Sequence, residues 1–303
     1  MTLPSSGQIT LNQVNVELGL TATAQIGLGD SAVRGLFDVA TGQITMSDGY
    51  GRSNEVILTS AGLVNGQKQQ QNITISNFIS SGGTLVVPSD IWIWANSTNP
   101  ALIIDIPCTL INNGKIIGRG GPSDNAAGYA AIKINSGVSN VTIQNASGAY
   151  IAGGGGSGSG GSGNGGGAGG GQGYGGAGGT LNASGTGGYN QYGGAGGGGG
   201  AGGGGNRQAP PSYFYGVGGG GGRILPGSGG ASGGYGGGAG GSAGNHGGPG
   251  TRVGSYPGGS GGGGWGAAGG LTPSGSAGAG GAAIDDSGVT YTLSNSGTIY
   301  GST

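Results

Sequence analysis

One histidine, one cysteine and one adjacent pair of acids are the first residues to test for chemistry. His246 stands in the run GNHGGPG, with no carboxylate close in sequence to orient its ring. Cys108 is the single cysteine, which excludes an intrachain disulfide framework. Its expected role is that of a small buried apolar residue. Asp285 and Asp286 are neighbours. Adjacent residues of a strand face opposite ways, so the pair is a poor glycosidase dyad. No His, Cys or Asp cluster has metal-ligand spacing. The many G-x-G-x-x-G matches carry no weight, because this composition supplies them by chance. The residues therefore predict no enzyme, no metal and no cofactor.

A different set of residues points to recognition. Tyr189, Tyr192, Arg207, Tyr213, Phe214, Tyr215, Arg223, His246, Arg252, Tyr256 and Trp265 sit in short segments that interrupt long glycine runs. Tyr, Trp and Arg are favoured anchors of binding surfaces, and Tyr among Gly, Ser and Asn offers large contact area at low entropic cost. The segment GNRQAPPSYFYG is the strongest contact loop, because Pro210 and Pro211 stiffen it and three aromatics in a row cannot all be buried by glycine. Residues 153–281 carry three Arg and no Asp or Glu, which suits an anionic partner.

These loops need a scaffold, and the composition makes it an unusual one. Of 303 residues 89 are Gly, while Lys and Arg number 9 and Asp and Glu 10. A globular domain has about 7% Gly and about 25% charged residues, so the chain is not an ordinary α/β enzyme. There is no strict G-X-Y period and there are only 11 Pro, which excludes collagen. No signal peptide and no membrane span are expected from the sequence.

Three zones follow. Residues 1–53 read as a small α+β module. TLNQVNVELG predicts a helix with Thr10 as N-cap and Gly19 beyond its end; GDSAVRGLF predicts a second, capped by Asp30 or Ser31. TGQITMSDGYGRSN predicts a strand and a turn. Residues 54–152 hold short β-branched runs, among them IWIW, which places Trp92 and Trp94 on one face and Ile91 and Ile93 on the other. Core packing and a sugar-stacking surface are both open for the two indoles.

A repeat ties the zones together. TLINNGKIIG (109–118) aligns without gaps with TLSNSGTIYG (292–301), and TIQNASGAYIAG (142–153) fits with small insertions. Each copy has an apolar strand, an Asn–small–Gly turn and a second short strand, as a parallel β-helix rung reads. The tail 282–303 then completes the stalk of 54–152, and residues 153–281 are an insertion fixed at both ends. That insertion, 67 Gly in 129 positions, has too few apolar residues for a core. Its ordered alternative to coil is a bundle of extended threefold glycine helices that pair laterally through their backbones. The fold class expected is mainly β and irregular: an N-terminal α+β module, a short β-helix-like region and a polyglycine II sandwich.

TLINNGKIIGRGG running into glycine tracts broken by aromatic turns resembles the glycine-rich receptor-binding adhesins of tailed-bacteriophage tail fibres. The opening LNQVNVELGLTATAQIGLGDSAVRGLFDVATGQITMSDGYGRSN also looks like the start of many phage structural proteins. The resemblance implies a polyglycine II sandwich whose distal loops choose a bacterial receptor, either an outer-membrane protein or lipopolysaccharide. It implies a virion protein of the tail fibre or tail tip that attaches to other tail proteins through 1–53 and binds no nucleic acid. The oligomeric state stays open, a trimer being one candidate. A purely structural tail-tip or fibre connector is the alternative, and a polysaccharide depolymerase is disfavoured by the shortage of paired carboxylates.

Overall fold

A computed structural model describes residues 3–64, 67–95, 98–121, 126–158, 238–253, 256–257, 260–271 and 276–303. It is mainly β, with two short helices. The N-terminal module starts with α1 (Leu11–Glu17), closed by a reciprocal capping box between Thr10 and Gln13. Gly19, at φ +74°, lies just past its end. The second helix, α2 (Ser31–Phe37), begins at Asp30. Val14, Leu18, Val33, Leu36 and Phe37 form the module's own core with Leu3 and Ile9. The strand expected near Ile44 is absent among the described residues of the module. A 3-10 turn, Met46–Gly49, takes its place, because Thr45 and Asp48 cap each other across it. Backbone and side-chain bonds from Thr45 hold the Asp48 carboxyl below its usual range. The module is thus helical rather than α+β.

Residues 54–152 and 282–303 wind through three sheets in a fixed cycle. Strands β1 (Glu55–Ile57), β2 (Gly62–Val64), β3 (Gln67–Gln71), β4 (Ile73–Thr74), β5 (Thr84–Val87), β6 (Ile91–Trp94) and β7 (Leu102–Ile104) make the first turns. Then come β8 (Cys108–Asn112), β9 (Lys115–Ile117), β10 (Ile132–Ile134), β11 (Val141–Asn145) and β12 (Tyr150–Ala152). A hairpin of β13 (Arg252–Val253) and β14 (Tyr256–Pro257) lies inside the glycine zone. The last turn is β15 (Ile284–Asp285), β16 (Thr292–Asn295) and β17 (Thr298–Tyr300). The first sheet is ordered β1-β5-β8-β11-β16, the second β17-β12-β9-β6-β3-β2 and the third β15-β10-β7-β4. Every pairing in them is parallel except β2 with β3.

Equivalent residues of successive turns stack in register. Leu85, Leu110, Ile143 and Leu293 form one inward column, and Ile93, Ile116, Ile151 and Ile299 another. The third sheet adds Ile73, Leu102, Ile132 and Ile284. These residues share a single apolar core, most of them with no solvent exposure. Each fully buried Ile or Leu stabilises the stack by about 1.5–3 kcal/mol, and no turn could bury its face alone. The alternation of buried and half-buried residues along β8 and β11 is the period-2 signature of strands covered on one face.

Asn112, Asn145 and Asn295 occupy one column at the first corner. The Asn112 amide donates to Asn145 Oδ1 and the Asn145 amide to Asn295 Oδ1, each at 2.8 Å. Asn112 Oδ1 and Asn295 Oδ1 also accept the backbone N–H two residues on, from Gly114 and Gly297. Because Asn112 and Asn145 are buried, deleting the middle member removes a buried bond and leaves the Asn112 amide with only the Tyr150 carbonyl as acceptor. Asn145→Ala is expected to destabilise the stack by about 2 kcal/mol in a denaturant titration. A change within 0.5 kcal/mol would contradict the ladder's structural role.

Cys108 belongs to the core, as expected. Burial, assisted by Asp105, pushes its thiol up from 9.0 to about 12. A folded value above the unfolded one leaves stability constant below pH 9.0 and erodes it as pH rises from there through about 12. At pH 8 iodoacetamide is expected to alkylate Cys108 only as fast as the stack opens. Modification at the rate of a free thiol in native buffer would refute that.

Candidate functional site

One corner of the stack is enlarged. The links from the second sheet to the third are one residue (72), seven (95–101), fourteen (118–131) and finally 131 (153–283). The glycine zone is therefore the last and longest version of a connection that every turn makes. It leaves after β12 and returns as β15, which pairs with β10.

Apart from the short β13–β14 hairpin, the described parts of this zone are joined by backbone hydrogen bonds between segments rather than by helix or strand ladders. The bonds recur every third residue. Gly154 and Ser157 donate to Tyr129 and Ala126; Gly278 and Gly281 donate to Ser157 and Gly154. Gly241 and Gly244 donate to Gly262 and Trp265, and Gly247 and Gly250 to Ala268 and Leu271. Gly263 and Gly266 close back on Gly156 and Gly153. Backbone pairing at this density satisfies groups that would otherwise be costly to bury. Segments this close leave no room for side chains. A Cβ on Gly153, Gly154, Gly156, Gly261 or Gly264 would lie inside the backbone of the next segment.

Trp265 fastens this layer to the stack. Its side chain is fully buried, against Trp92, Ile117 and Ala152 with Tyr150 and Tyr300 alongside. The indole meets Tyr150 edge-on at 6.3 Å and Tyr300 edge-on at 5.9 Å, while the two tyrosines stack at 6.5 Å. Such pairs contribute about 0.5–1.5 kcal/mol beyond burial. The expectation that Trp265 is an exposed contact residue is corrected: it is an internal anchor, since the outer face of the second sheet already carries the aromatic surface that receives it. Trp92 and Trp94 share that outer face, as their spacing predicts, and Ile91 and Ile93 belong to the core. Lys115 lies 4.9 Å above the Trp92 ring, and burial holds its ammonium below the ordinary lysine range. Trp92 is thus packed rather than offered to a sugar.

His246 is exposed on the glycine layer. Its Nδ1 accepts the Ala268 N–H at 3.2 Å. His246, Pro249 and Leu271 rim a shallow depression of about 430 Å³ floored by Gly247, Ala268, Gly269 and Gly270. Leu271 is 60% exposed there. Neither Leu271 nor Pro249 was singled out by sequence, since an isolated Leu among glycines gives no periodic signal.

Arg252 and Tyr256 lie on the two strands of the hairpin, opposite Pro257 and Val253. Tyr189, Tyr192, Arg207, Tyr213, Phe214, Tyr215 and Arg223 lie outside the described residues. The described candidates are not gathered at one point: Trp265 is inside and His246 outside. Asp285 and Asp286 accept the backbone N–H of Ser287 and Gly288. No group of three metal-ligating side chains occurs among the described residues.

Comparison with protein-family models, curated proteins and solved structures finds no match to this chain.

Proposed function

We propose that the protein is a tail-fibre or tail-tip adhesin of a tailed phage that binds a bacterial surface receptor through loops on a glycine-rich scaffold. In this reading the three sheets are a short parallel β-helix and the layer on its enlarged corner is a polyglycine II sandwich. Residues 1–53 attach it to other tail proteins. The observation that carries the reading is the layer's construction. Its segments pair mainly through backbone, with Trp265 and the small Ser157 and Ser260 as the buried side chains, so most aromatic and basic residues of the zone are available to the turns, where recognition needs them. The absence of acids from 153–281 favours an anionic receptor surface such as lipopolysaccharide phosphate or acidic protein loops. No hydrolytic step is assigned, because Asp285 and Asp286 are engaged in a turn.

The test is competition for adsorption. Purified protein added to susceptible cells is expected to block attachment of the phage that carries it. A variant lacking 206–217 is expected to lose the block while retaining its melting temperature. Normal adsorption by virions carrying the deletion would favour the second reading, a structural connector, which the burial of Trp265 supports.

A further inference from the structure

A second surface lies on the outer face of the first sheet, whereas the glycine layer is anchored on the second. Where the N-terminal module docks, the carbonyl of Leu18 packs on Gly82, and Glu17 accepts the Asn54 N–H at 2.8 Å. Beside this contact two depressions, of about 580 Å³ and about 410 Å³, share Ala32 and Ser81 and so form one groove. Its size is in the range of small-molecule sites.

The groove has a definite chemistry. Thr109, Thr142 and Thr292 stand in one register row along its floor, on strands about 4.8 Å apart. Ser31, Ser80 and Ser81 add hydroxyls along its length, and Asn140 an amide. These six hydroxyls make no side-chain hydrogen bond among the described residues; Thr292, Ser31, Ser80 and Ser81 are exposed, and Thr109 and Thr142 are partly buried. Leu20 and Pro107 supply apolar surface between them. No Asp, Glu, Lys or Arg lines either depression.

We propose that this groove binds a neutral glycan. Hydroxyls are both donors and acceptors, as sugar hydroxyls are, and the apolar side chains suit the C–H face of a pyranose ring. An anionic ligand would lose hydration with no countercharge to replace it. With no acid or base in the lining, the groove holds the glycan without cleaving it.

A glycan microarray bearing neutral and acidic structures tests this with the full-length chain. The protein is expected to retain neutral glycans. Thr109→Val with Thr142→Val keeps the β-branched shape and is expected to weaken retention about tenfold. Ala32→Trp, at an exposed position common to both depressions, is expected to abolish it. Circular dichroism confirms folding of each variant. Retention of acidic structures alone, no retention at all, or retention unchanged by Ala32→Trp would overturn the proposal. Because the groove and the glycine layer are on different sheets, failure here leaves the adhesin reading standing.

Discussion

Trp265→Ala is expected to release the glycine layer from the stack at a cost of about 3–5 kcal/mol. The indole is fully enclosed, and its two edge-on tyrosine contacts have no substitute in the neighbouring glycines. Hydrogen exchange gives the decisive readout. Amides of Gly263 and Gly266, bonded to Gly156 and Gly153, should lose protection, while those of β8 and β11 keep theirs. Trp265→Phe should restore most of the protection, because a smaller ring still fills part of the site. Equal protection in wild type and Trp265→Ala would mean that the layer is held by its backbone alone.

Gly156→Ala is the second large effect. Its Cβ would intrude on the Gly278 carbonyl and come within 2.6 Å of the Ala279 oxygen. Neither atom belongs to a side chain that can swing aside, so the segments must part. Overpacking of this kind costs about 3 kcal/mol, and here it also strains the bonds that close on the same segment. The matched control is Gly29→Ala, which has nothing within 4 Å and is expected to change stability by less than about 0.5 kcal/mol. Limited proteolysis should show new cleavage near 153–158 in Gly156→Ala only. If both variants resist alike, steric exclusion is not what demands glycine there.

The stack was legible because its signals are short and local. The alignment of TLINNGKIIG with TLSNSGTIYG pairs Thr109 with Thr292, Asn112 with Asn295 and Ile116 with Ile299, and the sheets put those pairs in common columns through β11 and β12. The earlier turns escaped the repeat because Val87 stands where the later turns have asparagine. Without the Asn ladder, TLVVPSDIWIW offers only generic β character. The strand expected at Ile44 failed for a different reason. The β preference of Ile44 and Thr45 was outweighed by the Thr45–Asp48 cap, a local interaction that apolar patterning does not register.

The site was less legible than the scaffold. An aromatic among glycines reads the same whether it faces solvent or fills a socket. What decides is the partner surface, and Trp92, Tyr150 and Tyr300 are brought under Trp265 from distant positions in the chain. The threonine row on the first sheet had the opposite fate. Thr109 and Thr292 were matched as repeat positions, but their common exposure beside the N-terminal module follows only from how that module docks.

The enlarged corner has a consequence for how the molecule can change. Extending a closed connection from fourteen residues to 131 costs only about 2 kcal/mol of chain entropy, because the penalty grows with the logarithm of length. The points of departure and return, Ala152 and Ile284, are fixed by strand pairing and do not move with the length between them. The outgoing segment at 154–157 and the incoming one at 278–281 already run side by side in opposite directions. A corner of this kind is a berth: its cargo can be exchanged, and it can lengthen or shorten by outgoing and returning pairs of glycine segments, while the hull beneath keeps the same register.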